Sequence, residues 1–269
     1  MNKKMVGLCF VLMMSLLISC NSNTALINET NEVVVSTNNV EETDVAEVEE
    51  EVEEVIEVEV YVEPEDLDNP KLPATLTYIG RATMKIEFAD ETVVYIDPYA
   101  GTDADYETPA DLVLVTHQHG DHNKVDKVTL KEEGQVVMCP TDLVTGDTIE
   151  LYGLSITAVT AYNGNHPKAK GCGFLIEAGE MTLYHAGDTS YVPEMVELAD
   201  EHIDFAFIPM DGVYNMGPVE AKLVADTILA EVIMPIHTDG ELDWNQDNAD
   251  KFSAENKIII LPGETLEIK

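Results

Sequence analysis

The rhythm of apolar and polar positions changes twice along this chain. Residues 5–18 form a nearly unbroken apolar run. Residues 21–70 hold no Lys, Arg or His, and 41–63 are mostly Glu and Val. From residue 74 onward, short apolar runs recur between turn residues. Those at 74–80, 84–89, 92–97, 111–116, 135–139, 154–161, 172–178, 181–186, 203–210, 232–237 and 257–261 have the length and β-branched character of strands. Helical spacing appears near 193–200, 217–230 and 246–254. Gly217-Pro218 opens the second of these, with proline in a first turn where its missing N–H costs nothing. Many strands come first and helices later, which predicts an α/β domain over 71–269 with sheet layers and helices packed outside them.

The first twenty residues read as an export signal. Lys3 and Lys4 give a positive start, and the apolar core after them is too short to span a bilayer comfortably. LISC (17–20) resembles the bacterial lipobox, in which a signal peptidase cuts before a cysteine that becomes diacylated. That implies a signal peptide over 1–19, a lipid bilayer as partner through acylated Cys20, and a membrane-anchored lipoprotein on the extracytoplasmic side. An ordinary secretory signal with a chance cysteine, or an uncleaved anchor, is the alternative. Residues 20–70 are expected to be an acidic disordered tether, because repulsion among the carboxylates opposes folding on their own. A partner-binding role is the other reading of that stretch. Cys9 leaves with the signal. Cys139 and Cys172 remain, far apart in sequence and each beside strand-like residues; two buried free thiols are preferred over a disulfide.

Charge narrows the partners. The 269 residues carry a formal charge of −38, and Arg81 is the single arginine. So negative a surface repels phosphate backbones and offers anionic lipids no basic patch, which argues against nucleic acid as a partner.

Chemistry concentrates in THQHGDH (116–122), directly after the apolar DLVLV. Three imidazoles and a carboxylate packed this closely supply nitrogen and oxygen donors suited to zinc, manganese or iron. Residues two apart in an extended loop project to one side, so His117 and His119 can share an ion while Asp121 and His122 point to a neighbouring position.

HxHxDH resembles the signature of the metallo-β-lactamase superfamily. NGNHPK (163–168), YHAGDTS (184–190) and MPIHTDG (234–240) resemble its later motifs, in order, so the resemblance covers 74–269. It implies a four-layer αββα sandwich with metals at one edge between the sheets. It implies that His117, His119 and His166 hold a first ion, that Asp121, His122 and His237 hold a second, and that Asp188 touches both. YHAGDT and MGPVEA (216–221) are similar to motifs of the compact branch that includes ascorbate-6-phosphate lactonase-like hydrolases. The implied function is metal-dependent hydrolysis of an ester, lactone, amide or phosphoester of a small molecule. Two divalent ions, zinc foremost with manganese or iron as alternatives, would lower the pKa of a bridging water, and Asp121 would orient that nucleophile or pass on its proton. The rivals are a redox enzyme on the same fold, of di-iron or persulfide dioxygenase type, and a non-catalytic metal-binding surface lipoprotein. Gln118 and Gly120 fill positions where flavodiiron reductases place a Glu, and neither a flavin domain nor a His-rich capture loop is present, so hydrolysis leads.

The remaining candidates read more plainly. His185 is expected to be a hydrogen-bond partner beside the site, and His202 a surface residue. Lys168 and Lys170 read as loop-tip lysines, with an anionic substrate group as the alternative role. Tyr214, Asn215 and Met216 are candidates for the pocket wall.

Overall fold

The protein is described here by a computed structural model. It covers residues 71–269 throughout and, before them, the strands β1 (Asn23–Asn28), β2 (Glu32–Thr37) and β3 (Val55–Glu59). The main body continues with β4 (Ala74–Gly80), β5 (Thr83–Phe88), β6 (Val93–Ile96), β7 (Ala110–Val115) and β8 (Leu130–Met138). Next come β9 (Thr148–Leu151), β10 (Leu154–Thr160), β11 (Cys172–Ala178) and β12 (Met181–His185). The chain ends with β13 (Phe205–Pro209), helix α1 (Pro218–Ile228), β14 (Val232–Ile236), helix α2 (Gln246–Lys251) and β15 (Thr265–Ile268).

Two mixed sheets result. One runs β2-β1-β3-β15-β4-β5-β6-β7-β8 and the other β14-β13-β12-β11-β10-β9. Leu76, Met84, Ile86, Ile96, Leu112 and Leu114 of the first sheet meet Ile156, Phe174, Ile176, Leu183, Phe207 and Met234 of the second in a shared core. The outer face of the second sheet, with Tyr184, Ala206, Ile208 and Ile233, packs under α1, under Phe252 and under a 3-10 helix over Pro193–Asp200. Strands β12 to β14 are therefore buried on both faces, which is why they read as continuous apolar runs. Helix α1 buries Ala221, Val224, Ala225 and Ile228, one face at helical spacing, and stops where Leu229 turns left-handed. Over the first sheet, the cover around Tyr95, Val113 and Val115 is made by Tyr106, Val128 and two short 3-10 turns, with no α-helix in that layer among the described residues.

The structure departs from the sequence reading in four places. Strands β1, β2 and β3 lie inside the stretch expected as a disordered tether. Alternating valine and glutamate has the two-residue period of a strand, and the edge of β15 supplies β3 with backbone partners, Val55 opposite Thr265. The rest of that stretch, together with the expected signal and Cys20, lies outside the described residues. The 257–261 run is not a strand: it makes a single bridge, Ile233 to Lys257, and buries Ile260 in the core. Strands β9 and β15 were absent from the expectation.

The fourth departure is that Cys139 and Cys172 form a disulfide, with Cα atoms 6.0 Å apart. The Cys139 N–H donates to the Val115 carbonyl and the Cys172 N–H to the Thr116 carbonyl. Two successive carbonyls of one strand end thus draw the thiols together across the sheets, a proximity that sequence separation conceals.

Candidate metal centre

Side chains capable of holding metal collect where strands end. Asp97 follows β6, His117 follows β7, Asp188 follows β12, Asp211 follows β13 and His237 follows β14. Strands β6 and β7 run parallel, as do β12, β13 and β14, so their C-terminal ends gather at one edge of the sandwich. His166 arrives from the loop between β10 and β11. An isolated bridge between His117 and Gly171 joins the two sheets at this edge, and a Cβ on Gly171 would lie 2.8 Å from the His117 Cβ, so the approach needs glycine.

All seven sequence-predicted ligands come together. Their donor atoms fall into three groups within 4.8 Å: His117, His119 and His166; Asp121, His122 and His237; and His117, His122 and Asp188. Asp188 divides its carboxylate between the first two. Its Oδ2 lies 3.2 Å from His166 Nε2 and 4.0 Å from His117 Nε2. Its Oδ1 lies 3.5 Å from His122 Nε2 and 3.8 Å from His237 Nε2.

The residues fit a cation. Nε2 of His117, His122 and His237 and Oδ1 of Asp188 are buried without a hydrogen-bond partner. Each such orphan costs roughly 1–3 kcal/mol, and several converging on one space are explained by an ion that accepts their lone pairs. Burial and repulsion from His122 push the His117 pKa down to about 3, so its ring is a neutral donor. Burial works against charge on His122, but Asp188 and Asp97 beside it hold its pKa well above the ordinary imidazole value. Burial would likewise raise Asp188, and His122 and His237 overcome it to keep the carboxylate ionised.

Three supporting residues escaped the sequence reading. Asp97, fully buried, accepts from the Thr116 backbone at 2.7 Å and the Thr116 hydroxyl at 2.6 Å, and faces His122 Nδ1 at 2.7 Å. That bond fixes Nδ1 as the donor and leaves Nε2 to face the site. Asp211 lies 3.3 Å from His237 Nδ1 and accepts from Asn215 Nδ2 at 2.8 Å. Asn215 in turn accepts from Asn163, whose Oδ1 accepts the His166 backbone N–H at 2.9 Å. Arg81 donates Nε and Nη2 to Asp121 Oδ2 at 3.0 and 2.9 Å. The available signal was an aspartate ending an apolar strand, as in VVYID and FIPMD, the same arrangement that marks the ligands.

Other expectations are sorted by the same geometry. His185 is buried, with Nε2 2.9 Å from the Ala82 carbonyl and Nδ1 accepting from Gly187, so both nitrogens are used away from the donor groups. His202 is exposed. Lys168 pairs with Glu194, whereas Lys170 lines a cavity of about 350 Å³ over His117, His119 and His166. A second cavity of about 470 Å³ shares His119, His166 and Asp188 and is walled by Arg81, Asp121 and Tyr214. Met216 belongs to the core under α1.

A family profile described as a β-lactamase superfamily domain matches residues 75–237. A UPF0173 metal-dependent hydrolase of an Exiguobacterium strain is 32% identical over 72% of this chain and 99% of its own length. One from Pyrococcus furiosus is 30% identical over 72% of this chain and 99% of its own. Among solved structures, a chain from Parabacteroides distasonis superposes with a TM-score of 0.61 at 25% identity, covering 72% of this chain and 92% of that one. Igni18, a metallo hydrolase of Ignicoccus hospitalis, shares the fold with a TM-score of 0.60 at 24% identity, over 73% of this chain and 98% of its own. Relatives named metal-dependent hydrolases over most of the domain support the hydrolase reading. The chain belongs to the β-lactamase superfamily and, within it, to the UPF0173 metal-dependent hydrolases.

Proposed function

We propose that this hydrolase works with two divalent ions, zinc foremost, to cleave an ester, lactone, amide or phosphoester of a small molecule. The observation that carries the reading is Asp188, whose two oxygens face two separate groups of histidine nitrogens. His117, His119 and His166 would hold one ion, Asp121, His122 and His237 the other, with Asp188 between them. Bound there, the ions would supply an activated water at neutral pH and polarise the substrate oxygen.

The chain's own residues define the rest. Neutral His117 offers a lone pair without first losing a proton. Burial opposes ionisation of Asp121, but His237, His122 and Arg81 hold its pKa well below the usual carboxylate range. Held in place by Arg81, Asp121 would orient the attacking water or pass on its proton. The cavities on either side of His119, His166 and Asp188 leave room for substrate on both flanks of the reacting atom.

The test is a screen of the zinc-loaded protein with lactone, ester, amide and phosphodiester probes, before and after chelation. Hydrolysis of at least one class, lost on chelation and regained with zinc, supports the reading; turnover that survives full metal removal overturns it. Export and acylation at Cys20 are part of the same proposal. Among the described residues no helix is long and apolar enough to cross a membrane; in this proposal the diacylated cysteine is the attachment. Fatty-acid labelling that persists in Cys20→Ser would refute it.

A further inference from the structure

The single arginine of this acidic chain is buried, with 6% of its surface exposed, against the edge of the metal cluster. A cation beside a cation-binding site needs a reason. Arg81 sits in the turn between β4 and β5 with a left-handed backbone, φ +52°. Its guanidinium spends its donors inside the protein: two on Asp121 Oδ2, one on the Gly240 carbonyl at 3.0 Å and one on the Leu242 carbonyl at 3.3 Å. A group so occupied is poorly placed to receive a substrate anion. Its carbonyl accepts from the His237 backbone N–H at 2.6 Å and from the Tyr78 hydroxyl at 2.9 Å.

Both contacts lead to the same place. Asp121 Oδ2, the oxygen Arg81 holds, lies 3.9 Å from His122 Nε2 and 3.8 Å from His237 Nε2. Asp121 stands on a loop outside any regular element and its side chain is 28% exposed, so without a partner the carboxylate would turn to water. The planar fork of arginine fixes its direction, which the point charge of a lysine does not do. Among the described residues Arg81 makes no hydrogen bond or ion pair to His117, His119 or His166, so the contacts it holds with the cluster fall on the other group of donors.

We propose that Arg81 is a positioning residue for the second ion, holding Asp121 through its side chain and His237 through its backbone. This rests on the two-ion reading. Second-sphere partners of metal ligands typically set affinity by about 10–100-fold. The experiment titrates wild type, Arg81→Ala and Arg81→Lys with Zn²⁺ in chelator-buffered solutions and with Co²⁺ followed by its visible spectrum. The metal-free proteins are compared by circular dichroism and melting. Arg81→Ala is expected to bind the second ion about 10–100-fold more weakly with the first unchanged, and Arg81→Lys to fall between it and wild type. Ethylguanidinium in the millimolar range should restore much of the lost affinity in Arg81→Ala, a recovery that a purely structural role does not give. Two ions held at wild-type affinity in both variants, equal loss at both sites, or no rescue would each overturn the proposal. A wild type that takes up only one ion would instead overturn the two-ion reading beneath it.

Discussion

Asp97→Asn is the most informative change to a residue outside the ligand set, because it keeps the shape and alters only charge and donor pattern. In the native protein both Asp97 oxygens face donors: Oδ1 the Thr116 N–H, Oδ2 the Thr116 hydroxyl and His122 Nδ1. An asparagine that keeps the Thr116 N–H bond must aim its NH₂ at His122 Nδ1, donor against donor. Relief comes if the His122 proton moves to Nε2, which removes the lone pair that faces the site. The loss expected at the second ion is about 10–100-fold, or roughly 1.4–2.8 kcal/mol. Chelator competition at neutral pH, resolving the two binding steps, measures it. The first ion should change less, because His119 and His166 do not touch Asp97. An Asp97→Asn protein that binds the second ion within twofold of wild type would refute the claim that this carboxylate sets the His122 tautomer.

Other expectations follow from the same contacts. Asp188 and Asp97 raise the His122 pKa against burial, so an ion at that ring must compete with a proton. Second-site affinity should therefore climb with pH, up to about tenfold per unit, until the raised His122 pKa is passed. His117, already neutral through burial, gives the first site a shallower dependence; identical slopes at both sites in calorimetric titrations would contradict this. Replacing Cys139 and Cys172 together by serine opens a loop of 33 residues and should cost about 3–4 kcal/mol, read from denaturant melts. An unchanged midpoint would show that the bridge adds nothing. All seven proposed ligands lie between 117 and 237, so removing residues 1–70 should leave metal content as it is, checked by elemental analysis.

The clustering of the seven candidate residues was legible because most of them follow an apolar strand and combine residue types with few other uses there. Asp188 and His237 were expected as ligands only through the resemblance of GDT and PIH to family motifs, and the structure brings both to the other histidines at the ends of β12 and β14. Their supports were not legible. Asp97 and Asp211 share the strand-end position but belong to no motif, and only packing shows Arg81 reaching 40 residues along the chain to Asp121. Within the main body, β9 and β15 were missed because each has only two apolar residues, whereas the equally short β6 is buried and apolar throughout. The 257–261 run was read as a strand because burial in a core produces the same apolar pattern whether or not the backbone pairs.

The two-ion claim meets its most direct test at Asp188. Metal per chain would be measured by elemental analysis after mild dialysis, for wild type, Asp188→Ala, Asp188→Asn and the exposed control His202→Ala. Wild type and His202→Ala should retain about two ions, and both Asp188 variants about one or fewer, because the charge that offsets repulsion between the ions is gone. If Asp188→Ala kept two ions and full hydrolytic activity, the placement of this carboxylate between two metals would be wrong.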